Sequence, residues 1–499
     1  MSSLGSPNPF FIAGKKAYEV ERSLRFNDGD SAYLNRTPSS AGNRKTWTLS
    51  VWVKRTTIDA NQRIFTAYDG SNVNAECNIQ FQSDGKIQIN NNNTSSNTDT
   101  NLKTDRLFRD PSAWYHIVIA TDMTQGTAAD RVNLYVNGVQ ETSFSTESYG
   151  TQNVDWWFNN NSPQTIGIRH TTGQRPFDGY MAEFNFIDGS QLTPSSFGAT
   201  DAITGQWNPK KYTGSYGTNG FYLNFSDNSG TTATTLGKDY SGNGNNFTPN
   251  NFSVAAGAGN DSLEDSPTNN WCTWNVLSKD GGTTLSNGNL DILSSNYGNN
   301  TATFFVTSGK WYWEGVGDGY VGAICGNDGQ NFANSISSTG SNSIGYWNGN
   351  GYAYWDGGNS GTGTTYSSSD VVGIALDMDN GTVKFYKNNT LIHDLTFGSG
   401  TIPDLSAGVF PAYNNGTSNN SKSAVHNFGQ RAFSYTPPTG FKALNSANLP
   451  DPTIKLPNKH FETLLYTGNG GTQSITGLEF QPDWVWIKER NTANAHKLY

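Results

Sequence analysis

The sequence predicts an all-β protein made of tandem antiparallel β-sandwiches joined by Gly/Asn/Ser-rich linkers. Three observations predict it. Charged residues are only 15% of the chain and Gly reaches 55, a mixture poor in helix formers and rich in turn formers. The 14 Trp, 23 Tyr and 27 Phe supply apolar area that a disordered chain does not carry. Strand-length alternation then recurs between turn signals: Trp47, Leu49, Val51 and Val53 share one face of 47–54, with Trp52 on the other. Ile79-Gln80-Phe81 and Ile87-Gln88-Ile89 flank Ser83-Asp84-Gly85, and Asn137-Gly138 is a hairpin turn. At 499 residues the chain has room for about three domains, at roughly 150 residues each.

Charge and hydropathy exclude whole classes of partner. Lys plus Arg is 32 and Asp plus Glu is 41, a formal net charge of −9 without a basic cluster, so no nucleic acid partner is expected. No apolar run approaches the roughly twenty residues of a membrane span, so no membrane insertion is expected. Near the N-terminus the patch Phe10-Phe11-Ile12-Ala13 precedes Lys15 and Lys16, the reverse of a secretory signal, so none is expected. Cys77, Cys272 and Cys325 lack metal-ligand spacing and read as buried free thiols.

Along the chain, 1–20 is an arm with two aromatics and an isoleucine, Phe10, Phe11 and Ile12, as candidate docking residues. Strand signals fill 21–225. The set 47–54, 114–120, 133–138 and 177–186 resembles a laminin-G-like, concanavalin-A-type jelly roll, and the resemblance implies an imidazole, His116, packed within the sheet. Residues 226–270 read as a linker, within which 239–246 (Asp-Tyr-Ser-Gly-Asn-Gly-Asn-Asn) is similar to a turn accompanying laminin-G-like modules. Its Asn and Gly build tight turns; Ca²⁺ held by its oxygens is the alternative, and no other cofactor is expected. Residues 271–446 carry 309–315, 370–377, 381–388 and 427–435, which closely resemble a SPRY domain with Ser369 and Asn389 where that family has Gly. The resemblance implies a second jelly-roll sandwich that binds partners through loops and is not catalytic. Beyond the prolines near 450, residues 447–499 open a third unit; 477–490 is similar to the start of a module of phage structural proteins.

The chemistry-bearing patterns are few. Glu183 to Asp188 offers Asn185 where a glycosidase needs a second acid, and Glu314 and Asp318 read as turn carboxylates. His116, His170, His393, His426, His460 and His496 show no ligand spacing, so an enzyme is not expected. Aromatics are in surplus: Trp156 and Trp157 in one segment, Trp347, Tyr352 and Trp355 in another, each beside Asn or Gly. Core packing is the plain reading; stacking on sugar rings, or contact with a protein partner, is the functional one. The resulting expectation is a bacteriophage virion protein, a tail fibre or tail-associated adhesin. It is made in the host cytoplasm, docks on other tail proteins through 1–20, binds host-surface polysaccharide, and assembles as a homo-oligomer, a trimer. A bacterial lectin-like adhesin and a glycan depolymerase are the alternatives.

Overall fold

In the computed structural model, described for residues 18–70, 75–94, 97–170, 174–326, 342–361, 363–417 and 420–499, the helical elements are three-residue turns such as Ala128–Asp130. Phe10, Phe11 and Ile12 lie outside the described residues. Two β-sandwiches occupy the chain up to about residue 446.

The first sandwich stacks two eight-stranded sheets. One is centred on Thr46–Arg55 between Trp114–Asp122 and Gly179–Asp188; the other runs from Phe144–Tyr149 through Asn97–Thr104, Ile87–Thr94, Glu76–Phe81 and Gln62–Tyr68 to Tyr33–Arg36. Their ladders are antiparallel. Alternation puts Trp47, Leu49, Val51 and Val53 into the inter-sheet core with Phe65, Ile79, Phe184 and Phe186. The Asn137-Gly138 turn has φ of 50° and 82°, the left-handed pair that a two-residue hairpin needs. The second sandwich packs a seven-stranded sheet, including Lys310–Gly317, Val371–Asp377 and Thr382–Lys387, on a six-stranded one containing Tyr320–Gly326, Ser343–Tyr346 and Tyr352–Trp355. Asn389, in the place of the expected Gly, takes φ of 67°, and Asn388 beside it takes 46°.

The segment 226–270, read as a linker, supplies strands to both sheets of the first sandwich. Thr248–Asn250 pairs with Tyr33–Arg36, and Ser262–Leu263 pairs with Ser23–Phe26. It also clamps the two sandwiches together. Lys54 Nζ donates to Asp265 Oδ2 at 2.8 Å with both side chains 0% exposed, and to Asn270 Oδ1 at 2.8 Å; Trp114 Nε1 donates to Asp265 Oδ1 at 3.0 Å. Tyr180 Oη donates to the Gly288 carbonyl at 2.7 Å. Trp52, Trp114, Tyr180 and Ala182, on the outer face of the first sandwich, share one apolar cluster with Trp274, Trp311 and Trp313 of the second. The sequence pattern shows only that Trp52 leaves the first core, not that another domain covers it.

The third unit is different. Its only named ladder among the described residues joins Trp486–Ile487 to Lys497–Leu498, and Phe461, Leu465, Trp484 and Trp486 are exposed.

Candidate functional site

The outer side of the first sandwich's second sheet is a polar layer laid down by strand register, buried at Thr66, Asn78, Gln80 and Thr165 and open at Gln88, Asn90 and Asn101. Core residues at one parity, Cys77, Ile79, Phe81, Ile87, Ile89 and Leu102, turn the alternate positions outward. Those positions align in one row across the sheet: Ser148, Asn101, Asn90, Asn78, Thr66, Thr165 and Asn35 are successive cross-strand partners. Beside it runs an amide relay in which each side chain donates to the next. Arg175 Nη1 donates to Gln80 Oε1 at 3.3 Å, Gln80 Nε2 to Gln88 Oε1 at 2.8 Å, and Gln88 Nε2 to Asn101 Oδ1 at 2.8 Å. Gln88, Asn90 and Asn101 are half-exposed. In the middle of the row, Thr66 Oγ1, Asn78 Oδ1 and Asn90 Oδ1 are buried polar atoms without a partner among the described residues.

One end of this face is ionic. Glu76 Oε1 accepts from Arg63 Nη2 at 2.8 Å, and Glu76 Oε2 meets Arg169 Nε and His170 Nε2 at 3.1 Å each. Burial would raise the Glu76 carboxyl, but the His170 hydrogen bond and the two guanidinium groups hold it below its usual range. Burial draws Arg63 down to about 9, leaving it charged at neutral pH. The amide floor thus presents paired donors and acceptors, the complement of vicinal hydroxyls. The sequence carries its trace as Asn78-Ile79-Gln80 and Ile87-Gln88-Ile89-Asn90, but the pairing that turns separate amides into a row depends on register.

The aromatics predicted as ligand contacts separate. Trp156 is 0% exposed and packs edge-on to Trp47 at 5.2 Å, so it is a core residue and offers no face to a ligand. Trp157 is half-buried at the rim of the polar face, donating to the Asn92 carbonyl at 3.1 Å under Arg44. Trp355 points into the second core and is 5% exposed, which corrects its reading as a contact. Trp347 and Tyr352 lie on the opposite, outer face and are half-exposed.

The candidate acids are each committed. Glu183, at φ 51° in the bulge between Ala182 and Asn185, accepts from Tyr222 Oη at 2.7 Å and Tyr18 Oη at 2.8 Å, and burial raises it to about 7. Asp188 caps the Asn43 and Asn219 amides at 2.8 and 3.0 Å. Glu314 takes the Ser434 and Tyr435 amides at 2.7 and 2.9 Å, and Asp318 takes Asn348 at 3.1 Å.

His116 lies within hydrogen-bond reach of a serine, but its tautomer is the wrong one for a nucleophile pair. Trp207 Nε1 can only donate, at 2.9 Å to His116 Nδ1, so Nε2 carries the proton and donates to Ser50 Oγ at 2.9 Å. Burial lowers His116 to about 3, which keeps it neutral.

In the loop considered for Ca²⁺, Asp239 accepts four donors at 2.8 Å each: the Tyr222, Ser241 and Asn245 amides and the Ser241 hydroxyl. Its oxygens therefore face hydrogens, which does not fit a cation ligand. Among the described residues, no group of three or more His, Cys, Asp or Glu is placed to hold a metal.

Comparison with known proteins gives three matches along the chain. Residues 28–196 match the concanavalin A-like lectin/glucanases superfamily, 308–431 the SPRY domain, and 456–499 a domain of unknown function, DUF7483. No curated protein matches the chain. Among solved structures, it is similar to a Bacteroides ovatus protein described as a candidate carbohydrate binding protein. That match has 16% identity and TM-score 0.30, and covers 47% of this chain and 60% of that one, less than two thirds of its length. It is also similar to the SAP-like pentraxin of Limulus polyphemus, at 15% identity and TM-score 0.27, covering 36% and 80% of the two chains. For the human HERC1 SPRY domain the values are 18%, 0.25, 31% and 96%. The chain carries a concanavalin A-like jelly roll followed by a SPRY sandwich.

Proposed function

We propose that the protein is a glycan-recognising adhesin of a bacteriophage tail, holding host-surface polysaccharide on the polar face of its first sandwich. The observation that carries the reading is the group of half-exposed amides Gln88, Asn90 and Asn101, with Gln88 and Asn101 oriented by the relay that starts at Gln80. The match of 28–196 to a superfamily described by lectins and glucanases supports a saccharide as ligand. Binding rather than turnover is favoured because Glu183, Asp188, Glu314 and Asp318 all serve hydrogen bonds of the fold.

The tail assignment rests on the similarity of 477–490 to phage structural modules and on two recognition sandwiches in tandem. In this reading the arm ahead of Tyr18 docks on the particle, a shorter arm than 1–20 because Tyr18 Oη bonds Glu183 and the buried Val20 donates its N–H to Thr268 Oγ1 within the fold; the chain is a homotrimer, whose linked copies gain avidity of about 10²–10⁴. Calorimetric titration of glycans retained on a printed array tests the site: Gln88→Ala/Asn101→Ala is expected to lose about tenfold in affinity, some 1.4 kcal/mol. Equal affinity of the variant for every retained glycan refutes this site. Mass spectrometry of purified particles tests the tail assignment, and light scattering tests the trimer.

A further inference from the structure

The outer face of the second sandwich carries an aromatic surface that the site above does not use. Tyr320, Trp347, Tyr352 and Tyr354 adjoin one another there, with ring centroids 4.7 Å apart for Tyr320–Trp347, 6.0 Å for Tyr320–Tyr354 and 6.3 Å for Tyr352–Tyr354. Tyr352 and Tyr354 sit two residues apart on one strand, with planes only 30° from parallel. Tyr320 is buried beneath them at 4% exposure, while the other three are half-exposed.

Glycines let the rings lie against backbone. Gly361, the cross-strand partner of Tyr352, would drive a Cβ into the Tyr352 ring, and a Cβ on Gly416 would enter the Trp347 indole. Rings that pack tightly on bare backbone leave their outward side for contact, unlike Trp355 on the same strand, which fills the core.

The rim is polar and its charges are offset. Lys422 Nζ stands 3.8 Å from the Trp347 ring centroid and donates to Asn348 Oδ1 at 3.2 Å, while Asn348 Nδ2 donates to Asp318 Oδ1 at 3.1 Å. Asn350, exposed, donates to Tyr354 Oη at 2.7 Å. A sugar ring offers an apolar face and a hydroxyl edge, which this combination matches; an ammonium and a carboxylate tied through one amide give no charge bias toward an ionic peptide.

We propose that Tyr352 and Tyr354, framed by Trp347, Asn350 and Lys422, form a second carbohydrate site, which stacks the ring faces of a glycan chain. It is separate from the first-sandwich site in place and in chemistry, stacking instead of amide readout. The buried clamp between the sandwiches fixes the two sites relative to each other.

The test uses the full chain and four variants: Tyr352→Ala/Tyr354→Ala, Tyr354→Phe, Asn350→Ala and Gln88→Ala/Asn101→Ala. Each is screened on a printed array of bacterial and animal glycans, followed by calorimetry and a thermal melt. The expected result is a glycan whose affinity falls about tenfold or more in the double-alanine variant, since an aromatic stacking contact is worth roughly 1–3 kcal/mol. The same glycan should be held normally by Gln88→Ala/Asn101→Ala and lose at most about threefold in Tyr354→Phe, which keeps the stacking ring and removes only the acceptor of Asn350. Asn350→Ala, at an exposed turn, should lose about threefold and serves if the double variant melts early. An array with no such glycan overturns the proposal, whether it is silent or indifferent to Tyr352, Tyr354 and Asn350. So does a double variant that loses capture of a protein while keeping every glycan.

Discussion

The two sandwiches share an architecture and differ in what their outer faces carry. On the first, the alternate positions of neighbouring strands are amides, and antiparallel register lines up Asn101, Asn90 and Asn78 beside a hydrogen-bonded relay from Gln80 through Gln88 to Asn101. On the second, the row Ala412, Ala323, Gly345 and Tyr354 sets small residues beside an aromatic, so rings spread over their neighbours. A polar pair across strands reads hydroxyl directions; a ring beside glycine reads the shape of a face. Cores of similar make thus support two kinds of surface, because the side-chain period of two separates core from face along each strand.

The largest expected effect asks whether the two sandwiches behave as independent bodies. Asp265→Ala strips a fully buried ammonium, Lys54, of its carboxylate and Trp114 of its acceptor, and should cost about 3–5 kcal/mol. Calorimetry should show the wild-type transition split in the variant, with the sandwiches melting apart; a shift below about 1 kcal/mol would mean that the clamp does not couple them.

Next, Trp156→Ala should destabilise by about 3–5 kcal/mol because a buried indole leaves a cavity, whereas Tyr352→Ala should cost under about 1 kcal/mol. Chemical denaturation of both compares core with face directly. Equal losses would put Tyr352 in the core.

A smaller, pH-dependent effect belongs to the first sandwich alone. Burial raises Glu183 from an ordinary 4.5 to about 7. The folded state therefore holds the proton more tightly than the unfolded one, so this contribution, roughly 3 kcal/mol, is present below pH 4.5 and is lost as pH rises toward 7. Glu183→Gln should flatten the fall in melting temperature across that window; an unchanged slope would assign the dependence to other groups, Asp178 among them, which burial raises to about 6. Last, adding Ca²⁺ or a chelator should leave the melting temperature within about 1 °C, since Asp239 is saturated by four donors. A rise of several degrees with Ca²⁺ would show a cation site.

Much of this was legible from local pattern. The strands at 47–54 and 114–120, the Asn137-Gly138 turn and the paired Asn388-Asn389 follow from period-two alternation and from the left-handed conformations that Asn and Gly accept. The aromatic surface was half legible. Trp347, Tyr352 and Trp355 stand close in sequence, yet Trp355 faces the core and the other two face outward. Alternation tells that Tyr352 and Trp355 oppose each other, but not which of them the second sheet covers.

The sequence by itself determined the fold class, because composition and alternation are properties of each strand taken alone. Tertiary structure decided the rest. The polar row exists only when four strands align in register, and 226–270 becomes strand and clamp only where Asp265 meets Lys54 across more than two hundred positions. The outward face of Trp52 and Tyr180 becomes interior only when the second sandwich packs on it. Burial of a sheet's outer side depends on what lies opposite it in space, and no local spacing encodes that.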